Sequence, residues 1–468
     1  MDEVFHIPQA QAFCSSFPWL QETKWDPMIT TLPGTYIGSV VALQGVGMSI
    51  VTGVFQTPGP TGGWCSAAML RATNLVFVPL TIIALRRCMD AVRGTSSAAS
   101  TASLWMEAGI VSTFPLLFFF NFLYYTDPGS TFFVIMCYAE ARRQAPVKAA
   151  LYGAVAVLFR QTNIVWVVFS AAVSLLALLD TSTAAALTEP PTRAPKGSSG
   201  GEGEGTPENK GNARGLGSEI VLYVNVLASG GMWMPALRRL LPFLTVAAAF
   251  GCFLFINEGI VVGDRTAHKA VVHLPQLFYF AGFAAVFAAP HLWLGWGKLS
   301  GLAAAVKAKA STASGAAQMV AVAAVVVACI GRFTLAHKYL LADNRHFPFY
   351  VWRKVFMRHS LVKFALAPAY MLAGLQIGRM LRVTQRPIWV LGFAVACGLA
   401  LVPAELLEFR YFLPPYLLLR THLPPPSATT LLLEALMYTV VNGATIWLFL
   451  SKTFEWENHP GELQRFMW

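Results

Sequence analysis

Long apolar stretches separated by shorter polar ones dominate the chain. The clearest apolar stretches are residues 240–257, 274–296, 318–335, 388–403 and 431–450. Each is close to the roughly 20 residues that cross about 30 Å of hydrocarbon. They lack the ten-residue alternation of a membrane barrel, so we expect helices. Further spans are expected at residues 69–85, 104–125, 149–159 and 164–179.

A segment of a different kind divides these spans into two groups. Residues 181–217 are rich in Gly, Pro, Ser and Glu and nearly free of apolar side chains. A segment of this composition buries too little apolar surface to offset the entropy that it would lose on folding, so we expect a disordered cytosolic insert. The other expected parts are an opening loop at 1–36, a first membrane half at 37–180 and a second at 218–468.

Composition supports an all-α, polytopic transmembrane protein. The chain is 56% hydrophobic and only 12% charged, whereas soluble proteins carry about 25% charged residues. Its formal charge is +11, but the basic residues lie between apolar runs and are not interleaved with stacking aromatics, so we expect no nucleic acid partner. The seven cysteines show no CxxC spacing. We expect them to be core thiols, with neither a zinc site nor a disulfide framework indicated by spacing.

The positions of Lys and Arg orient the loops. Cytosolic loops of membrane proteins carry an excess of these residues. Most isolated ones lie at 86–93, 142–148, 193–239, 298–309, 379–386 and at Lys452. The far side then receives the opening loop 1–36, YTDPGS at 125–130, RQTN at 160–163, and the loops 256–276, 335–359 and 404–416. This arrangement has about eleven crossings and gathers every polar motif on one side.

The loop 335–359 is the most basic of the far-side loops. Lys338, Asp343, Arg345 and His346 cannot face lipid, because a charge near a helix centre costs roughly 2.5–3.5 kcal/mol. The cations also break the positive-inside bias, and a bound phosphate would explain their position. The alternative is a salt-bridged interfacial helix in which Asp343 is the partner.

A second polar set lies in the string GDRTAH. Asp264, Arg265 and His268 predict binding of sugar hydroxyls or a general base, and a local ion pair that caps a helix is the alternative. The chain has no Walker loop, no GxSxG and no His/Cys/carboxylate cluster at metal-ligand spacing. We therefore expect neither a metal nor another cofactor.

Acidic residues mark the opening loop. Asp2 and Glu3 form a pair at its start, and Asp26 lies near its end. Transfer of a glycosyl group needs a carboxylate that removes the proton of the acceptor hydroxyl. The phosphate that is left behind needs fixed cations. An acidic loop that supplies the base and a basic loop that binds the phosphate, both on one side of a membrane, fit these two requirements.

Several strings, taken in order, carry a resemblance to a known family. They are MDEVFHIPQAQAF, WDPMITTLPGTY, FFFNFLYYTDPGS, FRQTNIVW, EGIVVGDRTAHKAVVHLPQLFYF, AHKYLLADNRHFPFYVWR, LLEFRYFLPPY and QRFMW. Together they resemble the dolichyl-phosphate-glucose-dependent alpha-1,2-glucosyltransferases of the endoplasmic reticulum. The resemblance runs nearly end to end and misses mainly 181–217 and the loop near 298–317.

The resemblance implies a C-type glycosyltransferase (GT-C) fold in the endoplasmic reticulum membrane, with the active site facing the lumen. It implies inverting transfer of glucose from dolichyl phosphate glucose to the diglucosylated, dolichyl-pyrophosphate-linked oligosaccharide. The resemblance also implies a catalytic acidic residue in the first lumenal loop, which maps onto Asp2, with Glu3 as the neighbouring candidate. Family members carry a transmembrane helix before the MDE motif, so we expect one more span upstream of this sequence.

The residues alone leave two other classes open. A transporter would place charges inside the spans, or repeat broken helices, and the charges here cluster in far-side loops. A non-catalytic scaffold in a glycosylation pathway would show the same sequence features as the enzyme. We assign Lys338, Arg345 and His346 to a donor phosphate, and substrate binding to Asp26, Asp264, Arg265, His268 and Asp343, as hypotheses from charge and side.

Overall fold

Helices form nearly all of the regular structure. The computed structural model describes residues 3–17, 23–46, 65–94, 101–188, 215–229, 231–265, 269–457 and 459–468. Before residue 189 the helices are α1 Glu3–Ser15, α2 Gly34–Val40, α3 Ala67–Leu75, α4 Phe77–Arg93, α5 Thr101–Ser112, α6 Pro115–Phe120, α7 Asp127–Arg142, α8 Pro146–Phe159 and α9 Ile164–Thr188.

The second part of the chain continues this pattern and ends in a hairpin. Its helices are α10 Leu216–Ser229, α11 Trp233–Asn257, α12 Pro275–Phe287, α13 Ala289–Leu292, α14 Trp296–Ala310, α15 Ala313–Phe333, α16 Lys338–Ala342, α17 Phe347–Val351, α18 Val362–Ala365, α19 Ala367–Thr384, α20 Pro387–Leu401, α21 Leu413–His422 and α22 Ala428–Ser451. Two antiparallel strands follow, β1 Thr453–Trp456 and β2 His459–Arg465. Single turns are π-helical at Val41–Val46 and Trp352–Phe356 and 3-10 at Gln161–Asn163 and Phe409–Phe412.

The predicted class of polytopic helical membrane protein is confirmed. Within the described residues, six helical segments are long and apolar enough to cross a membrane: Ala67–Arg93, Gln161–Thr183, Trp233–Asn257, Ala313–Phe333, Val362–Thr384 and Ala428–Ser451. Shorter apolar helices lie at Gly34–Leu43, Pro146–Phe159, Leu216–Ala228, Pro275–Phe287 and Pro387–Leu401. The count of about eleven crossings stays a prediction.

The opening segment is a helix at Glu3–Ser15, where the sequence predicted a loop. Its buried residues are His6, Gln9, Ala10 and Cys14, which recur at the spacing of one helical face. Because this buried face is mostly polar or small, apolar periodicity does not reveal it.

A disulfide joins Cys14 of α1 to Cys65, 51 residues later and just before α3. The expectation that all cysteines are core thiols is therefore wrong for this pair. Spacing of the two cysteines along the chain gives no sign of a bond that depends on how α1 folds back onto α3.

Two predicted boundaries also change. The expected span at 104–125 is two helices, α5 and α6, because Phe114 adopts an extended conformation before Pro115. The first membrane half continues in α9 to Thr188, so the expected boundary at 181 lies inside a helix. Residues 189–214, most of the expected insert, lie outside the described residues.

The basic residues at 298–309 belong to helix α14.

Charged side chains lie inside the bundle, contrary to the expectation that they cluster in loops. The fully buried Arg420 donates to Glu107 at 2.8 Å and, through its other amino groups, to Glu434 at 2.7 Å. Arg93 forms a second pair of hydrogen bonds to Glu107, at 2.6 and 2.8 Å. His291 contacts Glu434 at 3.2 Å. Each charge in this network faces an opposite one, which is the condition for burial.

Contacts at one end of the bundle join several of the basic loops. Arg143 lies 3.1 Å from Asp90, and Arg87 pairs with Glu140, which ties the end of α4 to the end of α7. Lys452 does not belong to this end. It follows α22 directly and precedes the hairpin that contacts the loop 335–359, so it lies with the far-side segments and not with the basic loops among which charge patterning grouped it.

Candidate active site

A cavity of about 1190 Å³ opens at the end of the bundle opposite the basic loops. All six segments that charge patterning places on the far side contribute to its lining. These contributions are Phe5, His6 and 28–31 from the opening segment, Thr126, Arg160, Asp264, several residues of 339–357, and 406–408, Arg410 and Tyr411. The C-terminal hairpin adds Glu455, Trp456 and Glu457, which no sequence pattern indicated.

Glu3 is engaged in contacts within the protein. Its carboxylate accepts hydrogen bonds from Arg71 at 2.9 and 2.8 Å and from the amide of Tyr124 at 2.6 Å. Burial raises the pKa of Glu3, but the bonds from Arg71 and Tyr124 outweigh burial and hold it below the usual value. Glu3 is not among the residues that line the cavity. Asp2 lies outside the described residues.

The predicted phosphate-binding residues have separate surroundings. Arg345 forms two hydrogen bonds to Asp343, at 2.9 and 3.1 Å, which is the ion pair that the alternative interpretation predicted. His346 lies 2.8 Å from the carbonyl oxygen of Trp468. Both basic residues line the cavity. Lys338 is exposed, lies over the ring of Tyr339 at 5.2 Å and does not line the cavity.

A buried ionic group forms another part of the cavity wall. Asp127, the first residue of α7, is 1% exposed and accepts a hydrogen bond from Arg160 at 2.6 Å. Arg410 lies 3.5 Å from the other oxygen of Asp127 and donates through Nε to Glu408 at 2.6 Å. The ring of Tyr125 lies 5.1 Å from the guanidinium of Arg410. Two guanidinium groups are thus fixed beside the cavity by two carboxylates.

The sequence assigned other roles to these four residues. In the sequence alone, Asp127 before a proline is typical of a turn, and Arg160 at the end of an apolar stretch is typical of a side chain that extends to the membrane interface. Glu408 and Arg410 before two prolines are typical of a structural corner. Their meeting depends on how α7, α8 and the turn Phe409–Phe412 pack. No local signal could have shown it.

The loop 256–276 meets the opening segment through its backbone. The amide of Asp264 donates to the carbonyl of Pro27 at 2.7 Å, and Asp264 lines the cavity. The preceding Gly263 has φ +79°, and a Cβ there would lie 2.4 Å from the same carbonyl oxygen. Glycine is required at this close approach.

The remaining predicted substrate-binding residues are not brought together. Arg265 lies 4.0 Å from Glu258 and is half exposed. Asp26 accepts a hydrogen bond from the amide of Met28 at 2.8 Å and stabilises a turn. Neither Arg265 nor Asp26 lines the cavity. His268 lies outside the described residues.

His273 joins three of the far-side loops. Its Nδ1 lies 3.3 and 3.1 Å from the carbonyl oxygens of Ala404 and Glu405, and its Nε2 accepts from the amide of Leu335 at 3.4 Å. These partners require a neutral ring protonated on Nδ1. Burial lowers the pKa of His273, while the carbonyl contacts act in the opposite direction. The imidazole therefore has a structural role.

One wall of the cavity is apolar and continues onto an exposed apolar surface. Phe349, Trp352 and Met357 line it, and Met357 and Leu361 expose 61% and 63% of their surface. Exposed apolar residues at this density in a membrane protein are suited to lipid. Arg353 lies in this wall, 5.7 Å from the Phe349 ring, and makes no ion pair with another described residue.

Comparison with known proteins identifies the family. The model of the DIE2/ALG10 family matches residues 1–421. The chain belongs to the DIE2/ALG10 family. Relatives from Mus musculus and Homo sapiens are each 37% identical over 100% of this chain and 93% of their own length. A relative from Arabidopsis thaliana is 34% identical over 100% of the chain and 94% of its length.

All three relatives carry the name Dol-P-Glc:Glc(2)Man(9)GlcNAc(2)-PP-Dol alpha-1,2-glucosyltransferase. The family resemblance found in the ordered sequence strings is therefore confirmed. No solved structure matches this DIE2/ALG10 family chain. The hairpin at 453–465 lies beyond the residues that the family model matches.

Proposed function

We propose that this chain is an inverting glucosyltransferase. It transfers glucose from dolichyl phosphate glucose to the diglucosylated, dolichyl-pyrophosphate-linked oligosaccharide and forms the terminal alpha-1,2 linkage. The observation that carries the proposal is one cavity, built by all six far-side segments, in a chain of the DIE2/ALG10 family. Membrane lipid and both lipid-linked sugars are the partners, and nucleic acid is not.

The walls of the cavity suit a lipid-linked donor. The dolichyl chain lies along the apolar wall of Phe349 and Trp352, whose continuation is exposed apolar surface. The leaving phosphate then lies near Arg345 and His346, which line the cavity, and Lys338 draws the anion from outside it. Fixed cations stabilise the charge that develops on the departing phosphate.

Asp2 is the proposed general base. It takes the proton of the acceptor hydroxyl as the bond from oxygen to the anomeric carbon forms and the bond to the phosphate breaks. Glu3 is the weaker candidate, because a carboxylate with a lowered pKa and three internal hydrogen bonds is a poor proton acceptor. Asp343 and Asp264 bind sugar hydroxyls in this proposal, with Asp26, Arg265 and His268 as outer contacts.

The cavity faces the lumen of the endoplasmic reticulum. The Cys14–Cys65 disulfide supports this side, because disulfides persist in the oxidising lumen and are rare in the cytosol. The buried charges of the bundle do not favour a transporter. Arg93 and Arg420 together balance the charges of Glu107 and Glu434, with hydrogen bonds of 2.6–2.8 Å.

Glucose transfer by full-length protein in microsomes tests the proposal. Given dolichyl phosphate glucose and the diglucosylated acceptor, the wild type should form the triglucosylated product. Asp2→Asn should lower the rate by about 10²–10⁴-fold, the usual contribution of a general base. Asp90→Asn removes a carboxylate at the opposite end of the bundle and serves as the control. An active Asp2→Asn protein would exclude Asp2 as the base, and an inactive wild type would reject the function.

A further inference from the structure

The C-terminal hairpin forms one wall of the cavity. Helix α22 ends at Ser451, and strands β1 and β2 follow directly, with Thr453 paired to Arg465 and Glu455 to Leu463. Glu455 and Trp456 of β1 and Glu457 of the turn line the cavity. This wall is polar and exposed, in contrast to the apolar wall that contains Trp352.

Tight contacts fix the hairpin to the cavity. The Trp456 indole N–H donates to the side-chain oxygen of Asn344 at 2.8 Å, and the Arg345 guanidinium lies 4.3 Å from the centre of the same ring. Arg345 also donates to Gln464 of β2 at 2.8 Å. Arg345 and Trp456 are therefore oriented by one another before any substrate binds.

The segment after β2 adds a second attachment. The amide of Met467 donates to the carbonyl of Arg345 at 2.9 Å, and the amide of Phe347 donates to Met467 at 3.1 Å. The ring of Trp468 packs against Phe347 at 5.0 Å and against Phe287 at 6.1 Å. The wall is thus preorganised, which reduces the cost of ordering it on binding.

The side chains of this wall match the chemistry of a sugar ring. Aromatic side chains offer an apolar face with a polar edge, and carboxylates accept strong hydrogen bonds from hydroxyl groups. Glu457 is exposed and makes no hydrogen bond or ion pair with another described residue. Glu455 accepts a bond from the amide of Gly461 at 3.3 Å within the hairpin. Glu457 is the side chain with the greater capacity for a ligand.

We propose that Glu455, Trp456 and Glu457 form a subsite for a pyranose of the oligosaccharide acceptor. The proposal rests on the glucosyltransferase function and goes further by assigning the acceptor to the hairpin wall. The dolichyl chain of the donor requires the apolar wall, whereas the hairpin offers polar side chains, so we assign the hairpin to the acceptor, and the donor KM distinguishes the two sugars. In the acceptor, the oligosaccharide separates the accepting sugar from its lipid, so this sugar can lie at the polar hairpin.

Steady-state kinetics of full-length variants in microsomes test the subsite. Glu457→Gln keeps the size of the side chain and removes its charge, and it should raise the acceptor KM roughly tenfold, as expected for loss of a hydrogen bond to a charged group. The donor KM and kcat should stay near wild-type values. Trp456→Phe keeps the aromatic ring and should raise the acceptor KM by a smaller factor. Glu462→Gln, on β2 and outside the cavity lining, is the matched control.

The outcomes separate the subsite from the proposed function. An unchanged acceptor KM in both hairpin variants, with an active wild type, overturns the subsite alone and leaves the hairpin a structural clamp. A raised donor KM at unchanged acceptor KM also overturns it, since the pyranose would then be the donor glucose. A wild-type protein that transfers no glucose rejects the proposed function itself. Equal effects of Glu457→Gln and Glu462→Gln would show only a loss of general acidity and overturn the subsite.

Discussion

Replacement of Glu3 by glutamine should reduce stability more than catalysis. The structure gives this carboxylate three hydrogen bonds, two from Arg71 and one from the amide of Tyr124. The Arg71 side chain is 44% exposed, so the ion pair contributes at most about 1 kcal/mol after screening by solvent. The Tyr124 bond is worth about 1.5–3 kcal/mol because its acceptor is charged.

Glu3→Gln keeps an oxygen that can accept from Tyr124 and loses the charge. We therefore expect a loss of about 1–2 kcal/mol in the free energy of unfolding. Because Glu3 is not the base in our proposal, the transfer rate should fall by less than about tenfold, whereas loss of a base costs about 10²–10⁴-fold. Arg71→Met removes the partner and leaves the carboxylate, and it should resemble Glu3→Gln in both properties.

Two measurements on the same preparations check this prediction. Initial rates at saturating donor and acceptor give the catalytic effect, and the fraction of protein that remains monodisperse in detergent after heating gives the stability effect. A Glu3→Gln protein that loses a hundredfold or more in rate, while it resists heating as the wild type does, would refute the structural role. Glu3 would then be the base, and Asp2→Asn should retain activity.

Three further predictions test the fold around the site. Changing Cys14 and Cys65 together to serine should lower the free energy of unfolding by about 4 kcal/mol, from loop entropy for a separation of 51 residues. The melting temperature in detergent should fall accordingly. Unchanged electrophoretic mobility of the wild type after reduction would contradict the bond. Asp127→Asn should cost about 3 kcal/mol, because Arg160 loses its buried counter-charge and Arg410 keeps only Glu408. A wild-type melting temperature would be inconsistent with the network. Gly34→Ala places a Cβ 2.6 Å from the backbone of α8 and should lower the free energy of unfolding by about 1–3 kcal/mol. In Gly38→Ala the Cβ meets nothing closer than 3.9 Å, so this control should be neutral or slightly stabilising. Equal heat resistance of the two alanine variants would argue against the close approach.

Hydropathy predicts the membrane helices well because lipid leaves the backbone no other partner than itself. Stretches such as 240–257 and 431–450 lie within α11 and α22. The same reasoning fails at α1, whose buried face contains His6, Gln9 and Cys14. A helix that packs through polar atoms has no apolar period to detect.

Charge patterning predicts which segments share the cavity, but it does not predict which side chains pair within it. The positive-inside bias acts on whole loops, and the six segments that it groups on the far side line one cavity, whereas Lys452 is grouped with the wrong loops. Asp127 and Arg160 are 33 residues apart, and their contact depends on the packing of α7 against α8. The approach of Trp456 to Arg345 depends on where α22 places the hairpin. These are tertiary contacts, and they carry no local signature in the sequence.

The network around Arg420 has a consequence for how the protein enters the membrane. Arg93 and Glu107 are 14 residues apart and bonded, and so are Arg420 and Glu434. Each pair of neighbouring helices can therefore leave the translocon as a neutral unit, which avoids roughly 2.5–3.5 kcal/mol for each unpaired charge in lipid. The bond from Arg420 to Glu107 spans 313 residues and can form only when the last helices arrive. This bond joins two helix pairs that have already been inserted, so it forms in the last step of bundle assembly.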